Sequence, residues 1–382
     1  MAINPSDTTP LYQQIAADIR EKIASGELAV GARLEPNRDL VNRYDVSVVT
    51  VNKALTLLVS EGLIYTRVGR GTFVAQMPQT AHAAFSGGGT DAGLLGFVLR
   101  DLSSPYFSLI AYAAQERADA AGYGLVFASS SRGLDNEEQQ IRRLRRLGVD
   151  GLIIASMRRL YRTNEPIQEL QREGVPFVMV SFTEGDDVPF IGTDLERTGY
   201  LAARHLLSTG RKRIGYVSDQ RGSSPGELRK RGYRRALAEH GQPVRPEFEF
   251  EYPLVGESQD YWSGYAIGER VAALPQRPDA MFVFNDLGAI GFEDALLDRG
   301  IRVPEEIAVV GVDDIEESAR ARVPLTTVRQ PTAKIGALAV DSLIARLRGE
   351  AVPVRQLFDP ELVIRESCGT AQRTALPAAP LP

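Results

Sequence analysis

The sequence predicts a mixed α/β protein, in which a small helical N-terminal domain precedes a larger domain of parallel sheets. The chain has 382 residues, enough for two or three domains. Before residue 76 the apolar residues recur at helical spacing, whereas after residue 93 short apolar strands alternate with amphipathic helices. Between them, residues 77–92 contain Pro78 and the string SGGG, a composition typical of a flexible linker.

The overall composition is that of a soluble globular protein, with 43% hydrophobic and 24% charged residues. No apolar run approaches the ~18 residues that a membrane span needs. The first 25 residues lack the pattern of a secretory signal, so we expect a cytoplasmic chain that starts at Met1. A single cysteine, Cys368, excludes a disulfide framework, and three scattered histidines disfavour a metal site. We therefore expect no cofactor.

Three helices are predicted in the N-terminal domain. The first follows Thr9, a favourable N-cap residue, and has Pro10 at its first helical position. Its apolar face repeats every fourth residue: Leu11, Ile15, Ile19 and Ile23. A short second helix is predicted over 36–43. Ser47 is a good N-cap for a third helix that ends near Val59.

The third helix presents an apolar face and a mixed face. We expect a buried stripe of four residues: Val51, Ala54, Leu55 and Leu58. The outward face then carries Val48, Val49, Asn52, Lys53 and Thr56. Two short strands, 63–67 and 72–75, follow and are joined by the string VGRG. Three helices and a glycine-tipped hairpin predict a winged helix-turn-helix domain.

This domain has the features of a DNA reader, although residues 1–78 carry eight basic and eight acidic side chains and so have no net charge. Asn52 is suited to a bidentate contact with adenine, and Arg70 at the wing tip to the minor groove. The assigned DNA-binding residues are Arg38, Ser47, Val49, Thr50, Asn52, Lys53, Arg67 and Arg70. The alternative is that these residues only solvate a small helical domain. The Gly-Arg-Gly tip disfavours that alternative.

The larger domain alternates regularly between strand and helix. Strands are predicted over 94–99, 125–128, 151–155, 177–180, 214–217, 281–284 and 307–312. Helices are predicted over 107–121, 136–147, 166–172, 199–208, 227–239, 263–274 and 289–298. Apolar strands separated by amphipathic helices predict parallel sheets covered on both faces. Roughly 290 residues exceed one sheet of ordinary size, so we expect two similar lobes.

Polar residues follow several of the predicted strands, where ligands bind in open α/β sheets. They are Asp101, the turn 103–107, Asp194, Asn285, Asp286, Asp313 and Asp314. Carboxylates and arginine suit paired hydroxyls, and aromatic faces cover a sugar ring. For Asp194 and Asp286, helix capping is an equal alternative. No phosphate loop or catalytic motif is present, so we expect a binding protein and not an enzyme.

The N-terminal domain resembles the DNA-binding domain of the GntR family. The resemblance rests on PLYQQI (10–15), SGEL (25–28), GARL (31–34), TVNKAL (50–55), EGLI (61–64) and GRGTFV (69–74). At two places the sequence departs from the usual pattern of the GntR family, and both departures bear on which operator the domain recognises. The second helix opens with Glu35-Pro36-Asn37-Arg38 in place of the usual Pro-Ser-Glu-Arg, and Val48 replaces an arginine that usually follows the serine. The operator therefore cannot be transferred from a relative.

The larger domain resembles the LacI/GalR repressors and the sugar-binding proteins of periplasmic type. The resemblance rests on GFV (96–98), SPYF (104–107), VDGLII (149–154), GRKRIGYV (210–217), RKRGY (229–233), FND (284–286), VGVDD (310–314) and PLTTVRQP (324–331). It implies a pocket formed by Tyr106, Phe107, Arg229, Trp262, Asn285 and Asp313. The alternatives are that Tyr106 and Phe107 belong to the core and that Arg229 is a surface helix residue.

The resemblance also implies three chain crossovers between the lobes. The expected organisation is a winged helix-turn-helix domain (1–76), a linker (77–92), a two-lobed ligand-binding domain (93–370) and a disordered tail (371–382). Lobe 1 takes 93–193 and 331–358, and lobe 2 takes 195–329 and 361–370. The expected function is a dimeric repressor of sugar-utilisation genes that a sugar releases from pseudo-palindromic operator DNA. The alternative is a regulator of the same build that senses a purine or amino-acid derivative, for which a corepressor role is also open.

Overall fold

The computed structural model describes most of the chain in eleven segments: 10–25, 27–29, 31–60, 63–67, 71–74, 93–130, 134–155, 165–183, 188–220, 223–252 and 260–370. The chain forms two compact units, Met1–Gly87 and Gly88–Pro382. The expected linker (77–92) and disordered tail (371–382) lie outside the described residues. Among the described residues, no helix combines the length and apolar character that crossing a membrane requires.

The N-terminal unit consists of three helices and a two-stranded antiparallel sheet. They are α1 (Leu11–Ala24), α2 (Asn37–Tyr44), α3 (Val48–Ser60), β1 (Ile64–Arg67) and β2 (Gly71–Val74). The predicted winged helix-turn-helix is confirmed. One detail was wrong: Pro10 has extended backbone angles and is itself the N-cap residue, so the helix begins at Leu11 and not at the proline.

A single apolar cluster joins these elements. Ile15 and Ile19 of α1 pack with the α3 stripe, and each of those two side chains is almost fully buried. The predicted α3 stripe is also confirmed, since Val51, Ala54 and Leu58 are 0% exposed and Leu55 is 8% exposed. Burial of these side chains fixes which face of α3 remains outside.

The larger unit contains two six-stranded sheets, and we call the half built on each sheet a lobe. The lobe 1 sheet has the order β13-β7-β6-β5-β3-β4, and the lobe 2 sheet the order β14-β12-β11-β10-β8-β9. Lobe 1 contains β3 (Leu94–Leu99), β4 (Gly124–Ser129), β5 (Gly151–Ile154), β6 (Phe177–Ser181), β7 (Phe190–Thr193) and β13 (Arg355–Phe358). Lobe 2 contains β8 (Ile214–Gln220), β9 (Glu249–Tyr252), β10 (Ala280–Val283), β11 (Ala308–Asp313), β12 (Thr326–Arg329) and β14 (Glu361–Val363).

Eight helices cover these sheets among the described residues of the larger unit. They are α4 (Pro105–Ala120), α5 (Leu134–Arg146), α6 (Glu165–Arg172), α7 (Leu195–Ser208), α8 (Ser224–Glu239), α9 (Asp260–Ala272), α10 (Asp286–Asp298) and α11 (Thr332–Leu347). All strand pairs of both sheets are parallel except β12–β14, so the predicted parallel architecture is confirmed.

The chain changes lobes at three points. It leaves the lobe 1 sheet after β7, returns to lobe 1 at α11, and passes from β13 to β14 in the other sheet. Several elements were missing from the prediction: α11, β7, β9, β12, β13 and β14. Because the carboxyl ends of parallel strands lie at one edge of each sheet, this topology gathers the polar post-strand residues on one side of each lobe.

Candidate DNA-binding surface and ligand-binding cleft

The exposed face of α3 begins at a capped helix end. Ser47 Oγ accepts a hydrogen bond from the backbone N–H of Thr50 at 3.2 Å, which confirms the predicted N-cap. Val48 and Val49 are 52% and 61% exposed, and Asn52, Lys53 and Thr56 are exposed as well. The expected outward face of α3 is therefore confirmed. An apolar pair at the start of this face suits contact with a thymine methyl group.

Asn52 is oriented by a residue that the sequence analysis did not assign. Asn37 Nδ2, at the start of α2, donates to Asn52 Oδ1 at 2.8 Å. This bond fixes the rotation of the Asn52 amide. A bidentate contact with adenine uses the remaining Oδ1 lone pair together with the Nδ2 group of Asn52. The two helices thus together orient the amide group of Asn52.

The other assigned DNA-binding residues are only partly described. Arg38 is exposed on α2. The backbone of Arg67 pairs with Gly71 in the wing, whereas the Arg67 side chain and the whole of Arg70 lie outside the described residues. Their roles remain predictions.

Arg229 is the central residue of the candidate ligand site. It lies on α8, is 4% exposed, and places its guanidinium carbon 4.3 Å from the centre of the Phe284 ring. Within the described structure, its Nε and Nη1 atoms have no hydrogen-bond partner. Buried polar atoms without partners are rare in folded proteins and need an explanation. The alternative that Arg229 is a surface helix residue is excluded by this burial.

Close packing of α7 against α8 positions the Arg229 backbone. A Cβ atom on Gly199 would lie 1.9 Å from the carbonyl oxygen of Arg229, and one on Gly232 would lie 1.9 Å from that of Glu196. Neither contact is possible for a larger residue without a backbone shift. The two glycines therefore set the distance between the helices and, with it, the depth of Arg229.

Asp219 lies at the end of β8, beside the first turn of α8. It is 9% exposed and accepts hydrogen bonds from Ser223 and, at 3.3 Å, from Ser218. Burial raises the pKa of Asp219 to about 6, and the positive charges of Arg229 and Arg100 oppose this rise. The carboxyl group thus sits within the electrostatic reach of Arg229.

Asp313 ends β11 and accepts a hydrogen bond from Gln330 Nε2 at 2.7 Å. Burial and the nearby Asp286 raise its pKa well above the ordinary value, while Arg229 opposes the rise. The φ angle of Asp313 is 118°, a region that side chains other than glycine rarely adopt. Such strain persists where the surroundings enforce it and is typical of binding sites.

Asp194 and Asp286, for which helix capping was the alternative to ligand contact, differ in their hydrogen-bond partners. Asp194 caps α7, because its Oδ1 accepts from the backbone N–H of Arg197 at 2.8 Å. Asp286 is fully buried and accepts from Ser318, Thr327 and the backbone of Ile315, at 2.7, 2.6 and 3.1 Å. It therefore joins three segments of lobe 2 and acts as a structural group.

Asn285 holds neighbouring groups in place. Its Oδ1 caps α10 through the N–H of Gly288 at 3.0 Å and accepts from Tyr252 at 3.3 Å. Its Nδ2 donates to Asp260 at 2.5 Å. Both Oδ1 lone pairs are thus engaged, and a ligand hydroxyl would meet Asp260 more readily than the Asn285 oxygen.

The three assigned aromatic residues lie in different surroundings. Tyr106 and Phe107 are 9% and 7% exposed and belong to the core of lobe 1, with ring centres 5.0 Å apart. Trp262 is 62% exposed and packs edge-on against Tyr261 and Tyr265. It lies two residues beyond Asp260, about 200° around α9. A stacking role for Trp262 gains no support from this position.

Three charged residues were missed: Asp219, on which the charges of Arg229 and Arg100 act, Asp260, which Asn285 contacts, and Arg100 itself. Asp219 and Arg100 follow apolar strands just as Asp313 does, so the same rule would have found them. Asp260 begins a helix, and only the bond from Asn285 reveals its place. Within the part of the chain that the structure describes, no group of His, Cys, Asp and Glu side chains is arranged to hold a metal ion.

Comparison with known proteins assigns both units. Residues 11–74 match the model of bacterial regulatory proteins of the gntR family, and residues 203–368 match the periplasmic binding protein-like domain. The chain is 28% identical to the arabinose metabolism transcriptional repressor of Geobacillus stearothermophilus, over 94% of this chain and 98% of that protein. It is 30% identical to the transcriptional repressor PurR of Mannheimia succiniciproducens, over 72% of this chain and 80% of that protein.

Solved structures agree with this assignment. A dimeric Lac repressor with a C-terminal deletion superposes with a TM-score of 0.64 at 27% identity, covering 72% of this chain and 98% of that chain. The fold and site define a transcriptional repressor with a ligand-binding effector domain. The chain belongs to the LacI/GalR-type repressors and carries a GntR-family DNA-binding domain in front of the effector domain.

Proposed function

We propose that the chain represses sugar-utilisation genes and that a sugar bound between the two lobes releases it from operator DNA. The observation that carries this proposal is the buried guanidinium of Arg229: two of its nitrogens have no hydrogen-bond partner among the described residues, and its charge acts on Asp219 and Asp313. A guanidinium and carboxylates together donate to and accept from vicinal hydroxyls, and such charge-assisted bonds are the stronger ones. The similarity to an arabinose repressor supports the same ligand class.

The repressor is proposed to be a cytoplasmic homodimer that senses its ligand and does not transform it. The solved relative with which it superposes is a dimeric Lac repressor. Two copies of α3 would then meet two half-sites of a pseudo-palindromic operator. Within each copy, Ser47, Val49, Thr50, Asn52 and Lys53 are proposed to face the major groove, with Arg38, Arg67 and Arg70 near the backbone and minor groove.

The ligand would release the repressor from operator DNA if its affinity is higher for one relative position of the two lobes than for another. A ligand shifts a conformational equilibrium only by its differential affinity for the two states. Arg229 and Asp313 hold the ligand from lobe 2, and residues of lobe 1 complete the contacts. The resulting change in lobe position would alter the spacing of the two DNA-binding domains in the dimer.

A second candidate ligand is a flat heterocycle such as a purine. The Arg229 guanidinium lies over the Phe284 ring, and the chain is 30% identical to a repressor named PurR. Carboxylates such as Asp313 would accept from ring N–H groups in that case.

A thermal-shift screen of the full chain tests this proposal. The panel contains L-arabinose, other pentoses and hexoses, disaccharides, sugar phosphates, purines and amino-acid derivatives. A ligand at 100 times its Kd stabilises by about 2.7 kcal/mol, which moves the Tm by several degrees. A shift with an uncharged sugar supports the proposal. A shift with a purine alone supports the second candidate and overturns the first.

A further inference from the structure

The second of the three crossovers between the lobes is bonded to a residue of the candidate ligand site. This crossover joins β12 of lobe 2 to α11 of lobe 1, and Gln330 and Pro331 are the two residues between these elements. Gln330 is 3% exposed, and its Nε2 donates to Asp313 Oδ1 at 2.7 Å. Asp313 ends β11 in lobe 2. The bond therefore connects a proposed ligand-binding carboxyl group to the chain at the point where it changes lobes.

The backbone has little freedom between Gln330 and the core of lobe 1. Pro331 has φ −79° and ψ 61°, and the N–H of Thr332 donates to the Gln330 carbonyl at 2.8 Å, which is the geometry of an inverse γ-turn. The proline ring restricts φ, so only the neighbouring ψ angles can change at this turn. Directly after the turn, Ile335 and Leu343 hold α11 in the lobe 1 core, each 0% exposed. A displacement of Gln330 is therefore passed on to α11.

On the lobe 2 side, the crossover is anchored by two consecutive contacts. Asp314 follows Asp313 and accepts from Arg329 Nε at 2.7 Å and from Arg365 Nη2 at 2.5 Å. Asp313 also pairs with Arg329 in the register of β11 and β12. Both aspartates have positive φ, 118° and 61°, a strained backbone that such contacts can hold in place. Residues 313 and 314 thus bind residues 330 and 329, directly before the chain leaves lobe 2.

The first and third crossovers are bonded to each other. The N–H of Asp194 at the first crossover donates to the carbonyl of Phe358 at the third at 2.9 Å, and Arg197 pairs with Asp359 at 3.1 Å. Of the hydrogen bonds described at the three crossovers, that of Gln330 is the one that reaches a proposed ligand-binding residue.

We propose that Gln330 is a positioning residue that couples ligand binding at Asp313 to the relative position of the two lobes. This inference deepens the proposed function and rests on it for the ligand, whereas the bond between Asp313 and the crossover needs no ligand. A ligand shifts a conformational equilibrium only through different affinities for the two states. Because Asp313 is bonded to the crossover, the orientation of its carboxyl group depends on the lobe position, and the ligand consequently prefers one position.

Hydrogen exchange of the full chain without ligand tests the bond to the crossover. Gln330→Met keeps most of the side-chain volume but loses the donor, and Asp313→Gly loses the acceptor. The amides of Thr332 and Ile335 are bonded to the carbonyls of Gln330 and Pro331 at 2.8 and 2.9 Å. We expect both amides to exchange about fivefold faster or more in each variant, since the loss of one hydrogen bond favours local opening. Asp313→Asn is the control, because its amide oxygen still accepts from Gln330, and its exchange should match the wild type.

Operator release at saturating sugar tests the coupling itself. With the sugar that raises the Tm of the wild type, we expect operator affinity to fall at least about tenfold in the wild type and less than about threefold in Gln330→Met. The Kd for the sugar should rise by no more than about tenfold in this variant, since Arg229 and Asp313 remain. A residue that only stabilises the fold would leave release at saturation unchanged. Gln140→Met is the matched control, because Gln140 donates to Asn136 at 2.9 Å within α5, and it should release like the wild type.

Wild-type exchange at Thr332 and Ile335 in Gln330→Met, or full release of that variant by saturating sugar, overturns the proposal. If Gln330→Met does not fold, Asp313→Gly and Asp313→Asn still decide the exchange measurement from the other end of the bond. If no sugar raises the Tm of the wild type, the proposed function fails, while the exchange measurement still decides whether Asp313 holds the crossover.

Discussion

The guanidinium of Arg229 lies over the face of the Phe284 ring, 4.3 Å from its centre. The ring stabilises the buried charge without using any of its N–H groups. Nε and Nη1 consequently keep their hydrogen-bonding capacity within the described structure. This relationship joins a residue of α8 to one that directly follows β10.

Replacing Arg229 by methionine removes this cation while keeping most of its apolar volume. We expect ligand affinity to fall roughly 10- to 100-fold, since hydrogen bonds to charged groups contribute about 1.5–3 kcal/mol. Operator binding should be unchanged. Arg234→Met is the matched control, because Arg234 lies on the same helix but pairs with Glu249 at the surface. Calorimetric titration with the sugar that raises the Tm measures both. An unchanged affinity in Arg229→Met would remove this residue from the site.

Replacing Asp313 by glycine should change stability and ligand binding in opposite directions. Asp313 has a φ of 118°, which glycine adopts without strain, and its carboxyl group lies near that of Asp286. We expect Asp313→Gly to raise the free energy of unfolding by about 1 kcal/mol and to abolish the ligand response. Urea unfolding measures the first effect and thermal shift the second. A destabilised variant that still responds to ligand would contradict both parts.

In the DNA-binding domain, Asn52→Ala should reduce discrimination between operator and random DNA by about 1–3 kcal/mol for the base it reads. Asn37→Ala should reduce the same discrimination by less, because it only frees the Asn52 amide to rotate. Arg70→Ala should weaken binding to all sequences and lower the salt dependence. Anisotropy titrations on operator and random duplexes separate these outcomes. Equal losses on both duplexes in Asn52→Ala would exclude base reading.

Glu293 makes the stability of lobe 2 dependent on pH. It is 1% exposed, and burial raises its pKa from 4.5 to about 8. The folded chain therefore retains a proton that the unfolded chain loses, and stability falls as the pH rises from about 4.5 to about 8. Glu293→Gln should be more stable than the wild type by on the order of 4 kcal/mol at about pH 8 and nearly equal to it at about pH 4. A benefit that is the same at both pH values would contradict this assignment.

Much of the fold could be predicted because burial imposes regular spacing on apolar residues. The α3 stripe and the β3 strand (Leu94–Leu99) matched their predicted residues. The helix α11 was missed because its N-cap is Pro331, which offers no side-chain hydrogen bond, and because it follows a chain crossover. The strands β12 and β14 have four and three residues, too few for a periodic signal.

The site was less predictable than the fold, because its geometry depends on contacts distant in sequence. Asp260 is placed by Asn285, 25 residues away, and Asn52 by Asn37, 15 residues away. Arg229 was assigned through the family resemblance of RKRGY (229–233), but its burial over Phe284 could not be read from the sequence. Exposure of Trp262 likewise follows from the rotation of α9, which begins directly after a segment outside the described residues.

The central claim is that a sugar in the cleft controls DNA binding, and one titration tests it most directly. An operator is first selected from random DNA by the full chain, and its affinity is measured by anisotropy with and without the sugar that raises the Tm. We expect the sugar to weaken operator binding at least tenfold in the wild type and to leave Arg229→Met unaffected, a coupling of about 1.4 kcal/mol or more. A sugar that binds the wild type yet leaves its operator affinity unchanged would contradict the account.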